Sequence, residues 1–202
     1  MEKKNIIIID IIVIIIAIVG IIAYNLYNEH NDTKLKESLT QAAILETELT
    51  NVTSELKNYT ENPNATDAGQ LKELLKKSQD LIDQENQILE TAETQTKNET
   101  KINYIQLQRK RLSAVQNIIN STNEFSNTLD QYVNGKTPLP EVIVATSNLK
   151  LSIEDNEKIY KDVCSNIKTI LEENPDLVNL INGTNATEGM YGEFNPNLIE
   201  IE

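Results

Sequence analysis

The sequence predicts an all-α protein in which a single amino-terminal transmembrane helix is followed by an antiparallel helical bundle outside the cytoplasm. Two patterns favour this fold class. One apolar run near the start is long enough to cross a bilayer, and from Thr33 onward apolar residues recur at alternating steps of three and four, the spacing of one helix face. Aromatic residues make up only 4% of the 202 residues, and the six glycines and five prolines are few, which disfavours a β-sandwich.

The transmembrane helix is predicted from the apolar run Ile6–Ala23. At 1.5 Å per residue this run reaches about 27 Å, close to the hydrocarbon thickness of a bilayer. Lys3 and Lys4 precede the run, and Tyr24 and Tyr27 follow it where an interfacial aromatic belt is expected. We therefore expect the amino terminus in the cytoplasm and the remainder of the chain outside the cell membrane.

A cleaved signal peptide is the alternative interpretation, with Ile21 and Ala23 at positions −3 and −1. The run is longer than the roughly 7 to 15 residues of a signal-peptide core and lacks a small residue at −3. These features favour an uncleaved, single-pass signal anchor.

This topology divides the chain into four predicted segments. They are a cytoplasmic amino terminus (1–5), the anchor (6–27), an extracytoplasmic helical bundle (28–175) and an acidic, partly disordered tail (176–202). Five residues are too few for a cytoplasmic output domain, so any signal would have to pass through a partner protein.

Four apolar stripes are predicted within the bundle, each typical of one face of a helix. Breaks rich in proline, glycine and asparagine fall at Glu61–Gly69 and at Asn134–Pro140. The stripes consist of Leu35, Ala42, Leu45, Leu49, Val52, Leu56 and Tyr59; Leu71, Leu74, Leu81, Ile88 and Ala92; Ile105, Leu112, Val115, Ile119, Leu129 and Val133; and Val142, Leu149, Ile153, Tyr160, Val163, Ile167 and Ile170.

Two structures fit the polar stretch between the second and third stripes. Either the chain turns back near Thr94–Thr100, giving a four-helix up-down bundle, or one helix continues from Gln70 to about Tyr132 as part of a long helical hairpin. The turn would bury every stripe at once, which favours the four-helix bundle. After the last stripe Asn174 and Pro175 end the helix, and a short helical turn is predicted to end at Gly183.

Composition excludes several classes of function. Eighteen basic and 31 acidic side chains give a net charge of −13, which disfavours nucleic acid and anionic lipid as partners. One cysteine and one histidine cannot form a Cys/His metal site, and we find no calcium loop, di-iron motif, phosphate loop or nucleophile elbow. We therefore expect no metal, no cofactor and no enzymatic activity.

The motif that exceeds chance is the N-glycosylation acceptor N-x-T. It occurs eight times, against roughly two occurrences expected from random placement, and the N-x-S form does not occur. The predicted acceptors are Asn31, Asn51, Asn58, Asn64, Asn98, Asn120, Asn182 and Asn185. This excess favours N-linked glycans on a surface outside the cell. The alternative is that a chain rich in asparagine and threonine produces such triplets from its composition alone.

Two further features each have more than one interpretation. Arg109, Lys110 and Arg111 contain both arginines of the chain and predict an anion-binding site, interhelical ion pairs within an acidic bundle, a solvated helix face or a protease recognition site. Cys164 beside Val163 is expected to be a small core residue, and the alternative is a crosslink between two copies.

These observations predict a membrane-anchored cell-surface glycoprotein with a structural or interaction role at the cell envelope, acting on an unknown protein partner or by self-association as a coiled coil. The alternative is a ligand-binding or sensory ectodomain that signals through a partner, because membrane-anchored four-helix bundles resemble the sensing domains of chemoreceptors in architecture. A polar pocket near Arg109 or Tyr160 would favour the alternative. The residue usage is similar to that of envelope proteins of AT-rich archaea.

Overall fold

The computed structural model describes residues 31–58, 68–184 and 186–194. These residues form helices and turns and contain no strand, so the all-α prediction is confirmed. The elements are α1 (31–58), α2 (Ala68–Thr94), α3 (Glu99–Val133), α4 (Leu139–Glu173), α5 (Pro175–Asn182) and a short 3-10 helix (Glu188–Tyr191). Among the described helices none is both long and apolar enough to cross a membrane. The predicted span Ile6–Ala23 lies outside the described residues.

Helices α1 and α3 run in the same direction. Near the start of both helices, Lys101 Nζ lies 2.5 Å from Asp32 Oδ1. Further along both, Arg111 of α3 forms an ion pair with Glu46 of α1. The residue numbers of the contacting pairs increase together along both helices, so the helices are parallel.

Helix α2 runs antiparallel to α3. Its first turns contact the end of α3 through Lys72 and Asp130, whose Nζ and Oδ2 atoms are 3.1 Å apart. Its last turns contact the start of α3, where Gln106 Nε2 donates to Glu93 Oε1 at 2.7 Å.

Helix α4 also runs antiparallel to α3. Asn117 Nδ2 donates to Asn156 Oδ1 at 3.0 Å, and one turn further along α3 Ser121 Oγ lies 2.7 Å from Ser152 Oγ. The described helices therefore form an up-down-up-down bundle, as the four-stripe pattern predicted.

The turn between α2 and α3 decides between the two structures that fit the sequence, a turn near Thr94–Thr100 and one continuous helix. Helix α2 ends at Thr94, and α3 begins at Glu99 with Asn98 as its N-cap. The Asn98 side chain accepts a hydrogen bond from the Lys101 backbone N–H at 3.1 Å. An asparagine cap satisfies one of the free amides at a helix start, so the chain turns here without glycine or proline.

The buried core confirms most of the four predicted stripes. One continuous cluster contains residues of α1 to α5 and of the 3-10 helix. Leu129 and Val133 are an exception, because they are 40% and 77% exposed, and their prediction as core residues was wrong. Val142 and Leu149 are half-buried and lie outside the core cluster, and Tyr59 lies outside the described residues. Glu46 of α1 lies level with Arg111 of α3, so the described part of α1, which ends at Asn58, stops about ten residues short of the end of α3.

The carboxyl-terminal segment packs on the bundle. Helix α5 begins at Pro175 and ends before Gly183, as predicted. Residues 186–194, called the strap here, then cross the bundle with Met190 buried. The expectation of a partly disordered tail did not foresee the strap, and residues 195–202 lie outside the described part of the chain.

Candidate functional site

The predicted glycan acceptors are located mainly on the surface. Asn51, Asn58, Asn98, Asn120 and Asn182 are exposed. Two more acceptors, Asn64 and Asn185, lie outside the described residues, and Asn31 is half-buried at the first described position of α1. The bundle therefore has room for a glycan at each of the five exposed asparagines.

The three residues of the basic triplet have different surroundings. Arg109 Nη1 lies 2.9 Å from Glu93 Oε2 in a partly exposed ion pair, whereas Arg111 is buried and paired with Glu46. Lys110, between them, is exposed. Both guanidinium groups thus face carboxylates of neighbouring helices, which is the ion-pairing interpretation of the triplet.

Arg111 is the centre of a polar cluster inside the bundle. Arg111 and Glu46 are each only 1% exposed. Arg111 also donates from Nε to Gln108 Oε1 at 2.9 Å and from Nη1 to the Tyr160 hydroxyl oxygen at 3.2 Å. Burial alone would lower the pKa of Arg111, but Glu46 and Tyr160 raise it, so that the net shift is upward and the guanidinium stays charged.

Glu85 adds a second carboxyl group to this cluster from α2. It is 2% exposed, and its Oε2 has no hydrogen-bond partner among the described residues. Burial, together with the nearby Glu46 carboxylate, raises the pKa of Glu85 well above its ordinary value, while Arg111 opposes the shift. One guanidinium faces two carboxyl groups, and the arrangement favours a proton on Glu85.

The strap covers the polar cluster. The Met190 carbonyl accepts hydrogen bonds from the Tyr104 hydroxyl at 3.0 Å and from Gln108 Nε2 at 3.2 Å. Thr187 Oγ1 donates to Glu46 Oε2 at 2.5 Å. These bonds satisfy polar groups that would otherwise be buried without partners, which is costly in a low-dielectric interior.

Two glycines allow the strap to approach the helices closely. A Cβ atom on Gly189 would overlap Arg111 Nη1 and Glu46 Oε1. Gly192 has a φ of +78°, and a Cβ there would overlap the carbonyl of Cys164. The strap can therefore lie this close to the helices only because positions 189 and 192 are glycines.

Cys164 and the aromatic residue Phe194 complete the contact between α4 and the strap. Cys164 is 3% exposed, as predicted for a core residue, and burial raises the pKa of its thiol to about 11. The Phe194 ring lies edge-on to Tyr160, with 5.8 Å between the ring centroids. A thiol in this position is shielded from a second copy of the chain.

Exposed apolar side chains concentrate where α3 turns into α4. Seven of the nine large apolar residues that are exposed in the described chain lie within residues 129–151, called the tip here. They are Leu129, Tyr132, Val133, Leu139, Ile143, Val144 and Leu151. A groove of about 370 Å³ opens beside them between α3 and α4, lined in part by Phe125, Pro140, Val144 and Leu149. Exposed apolar surface of this kind is typical of contact sites.

The sequence contains a signal for the buried cluster in addition to the four apolar stripes. On α1 and α2, Glu46 and Glu85 each lie between buried apolar residues three or four positions away on either side. On α3, Arg111 is followed at those spacings by the buried Ala114 and Val115. A charged residue on the apolar face of a helix needs a partner, so these three positions together indicate an interhelical ion cluster. No comparable local signal marks the strap.

No known protein family matches the chain, no curated protein matches it, and no solved structure matches it.

Proposed function

We propose that this protein is a single-pass, N-glycosylated surface protein whose extracellular helical bundle has a structural or interaction role at the cell envelope. The amino-terminal run supplies the anchor in this proposal. The observation that carries it is the distribution of acceptor asparagines, since all five that are exposed in the described chain sit on or at the ends of helices where a glycan would face solvent.

The acceptors also leave the tip and helix α4 without glycans of their own. No N-x-T triplet occurs between residues 121 and 181, a stretch that contains the end of α3 and all of α4. The tip lies within this stretch. Glycans elsewhere would restrict contacts with other molecules to the tip and to α4.

We infer that the tip contacts a second copy of the chain. Its charged residues are Asp130, Lys136, Glu141 and Lys150, so its net charge is zero, whereas the whole chain carries −13. Two copies repel each other over most of their surfaces and least at their tips. The exposed apolar residues there would be removed from water on association.

Sedimentation of the full chain in density-matched detergent tests the self-association. We expect dimers whose dissociation constant rises at least tenfold, about 1.4 kcal/mol, in the Val144→Lys/Leu151→Lys variant. Ile44→Lys is the matched control, because Ile44 is 52% exposed on α1 outside the tip, and it should leave the dimer unchanged. A wild-type chain that stays monomeric at high concentration contradicts self-association and directs the search to another envelope protein.

Labelling of intact native cells with a membrane-impermeant amine reagent tests the topology. Lys110 is exposed on α3 and should be labelled, whereas Lys3 and Lys4 should be labelled only after the cells are permeabilised. Labelling of Lys3 but not Lys110 on intact cells would reverse the proposed orientation.

A ligand-binding ectodomain is the second candidate function, favoured by the buried cluster around Arg111 and Tyr160. Glu85 Oε2 has no partner among the described residues, and a basic ligand that takes the Glu85 proton would pair with the resulting carboxylate. A ligand of this class, such as a primary amine, would raise the melting temperature of the wild type but not of Glu85→Gln. Equal shifts in both would exclude the cluster as the binding site.

A further inference from the structure

We propose that Asn51, Asn120 and Asn182 are glycan acceptors only before the bundle folds, whereas Asn98 remains an acceptor in the folded protein. This inference rests on the proposed function, because it assumes that the N-x-T triplets are used. It adds to that function the order of glycosylation and folding. Glycosylation must precede folding at Asn51, Asn120 and Asn182, whereas at Asn98 it can follow folding.

The geometry of an α-helix separates the two residues that define the motif. Successive residues are rotated by about 100°, so residues i and i+2 lie about 200° apart around the axis. An enzyme that recognises N-x-T must contact both the asparagine and the threonine. Inside a packed helix, an asparagine that faces solvent therefore has its threonine on the buried side.

The structure shows this opposition at two acceptors inside helices. Asn51 of α1 and Asn120 of α3 are exposed. Their threonines, Thr53 and Thr122, are 5% and 6% exposed. Each threonine hydroxyl also donates to the carbonyl four residues earlier, at 3.0 Å and 2.8 Å respectively. Neither hydroxyl is available to an enzyme while its helix is packed.

The acceptor at the end of α5 also combines an exposed asparagine with a buried threonine, although it lies at a helix end. Asn182 is exposed, and Thr184 is 0% exposed with its hydroxyl donating to the Ile181 carbonyl at 2.7 Å. The Asn182 side-chain oxygen accepts a hydrogen bond from the Tyr191 hydroxyl at 2.8 Å. Docking of the strap thus holds this acceptor in its folded geometry.

Asn98 differs from these three because its backbone is extended, with φ −78° and ψ 116°. It precedes the first turn of α3, and Thr100 is half-buried. Its side-chain oxygen caps the helix, while the nitrogen donates no hydrogen bond among the described residues. That nitrogen is the atom that would bond to C1 of the sugar, losing a proton as the bond from C1 to the phosphate oxygen of a lipid-linked oligosaccharide breaks.

The test compares the full, unglycosylated chain, folded in detergent micelles, with synthetic peptides spanning the same four acceptors. Both are incubated with an N-x-T oligosaccharyltransferase and a lipid-linked oligosaccharide, and site occupancy is followed by peptide mass spectrometry. A Lys136→Thr variant is the control for a turn, since it adds a triplet at Asn134, which is exposed after α3 and whose side-chain nitrogen donates to the exposed Asp130.

We expect all four peptides to be modified. In the folded chain, the rates at Asn51, Asn120 and Asn182 should fall at least about 100-fold below those of the peptides, because opening a packed segment of the bundle is rare. The rates at Asn98, and at Asn134 in the variant, should stay within about tenfold of the peptide rates, because turns open readily.

Two contrary results have different meanings. Modification of Asn51 or Asn120 in the folded chain at the peptide rate would overturn the proposed order of events. Loss of modification at Asn98 while Asn134 is still modified would overturn it too. Neither result would affect the proposed function. Inert peptides would instead refute the use of these triplets, and with it both proposals.

Discussion

Replacing Arg111 with methionine tests the energetic role of the buried polar cluster. The substitution removes the guanidinium that pairs with Glu46 and donates to Gln108 and Tyr160. The volume stays similar, but Glu46 and Glu85 remain in the core without a cation. Removing one partner of a buried ion pair typically costs about 3 to 5 kcal/mol.

This cost predicts a large fall in melting temperature. For a chain of about 200 residues, 1 kcal/mol corresponds to about 2 to 4 °C, so Arg111→Met should lower the midpoint by about 6 to 20 °C. Circular dichroism of the full chain in micelles, followed at a helical wavelength, measures the shift. The variant Glu46→Met/Arg111→Met should recover part of the loss, because it leaves only the protonated Glu85.

Arg109→Met is the matched control on the same helix. The Arg109 and Glu93 side chains are 36% and 26% exposed, and a pair this accessible to water typically contributes below about 1 kcal/mol. The control should shift the midpoint by less than about 4 °C. If both variants melt within a few degrees of the wild type, the pair of Arg111 and Glu46 does not stabilise the bundle.

Three further perturbations test the cluster, the strap and the thiol. Because the pKa of Glu85 is raised in the fold, its contribution to stability is complete below about pH 4.5 and is lost as pH rises toward the folded pKa. Glu85→Gln should therefore remove up to about 1.4 kcal/mol per pH unit of this loss of stability, as measured by urea denaturation at a series of pH values. An unchanged dependence of stability on pH in this variant would contradict the raised pKa. Gly189→Ala should destabilise the chain by about 1 to 3 kcal/mol through overpacking against Arg111 and speed hydrogen exchange in the strap. Gly183→Ala is the control, because its Cβ meets only the flexible end of a lysine side chain, and it should change neither stability nor hydrogen exchange. Equal effects of Gly189→Ala and Gly183→Ala would show that the strap does not pack closely against Arg111. Cys164, with a pKa of about 11, should be about one part in a thousand thiolate at pH 8 and resist alkylation until the chain is unfolded; rapid alkylation of the native protein would place the thiol at the surface.

The helices could be predicted from sequence because the steps of three and four are a direct consequence of helix geometry. The stripes identified buried positions such as Leu49, Leu81 and Ile167, and the break at Asn134–Pro140 followed from backbone chemistry. The turn at Asn98 was harder to predict, since a polar cap leaves no glycine or proline signal.

Other features depend on which helices are neighbours, and periodicity does not contain that information. Leu129 and Val133 have the phase of core residues but lie beyond the described end of α1. The strap is a short segment whose contacts depend on a surface assembled from α1, α3 and α4. The acceptor triplets were visible in the sequence, but the burial of Thr53 and Thr122 emerged only once the packed faces were known.

Whether the protein is an anchored envelope glycoprotein can be decided by the intact mass and peptide map of the chain purified from its native membranes. The proposal predicts that peptides from the Met1 region are present and that several N-x-T asparagines carry glycans. A bare chain that starts near Tyr24 would contradict both the anchor and the glycosylation.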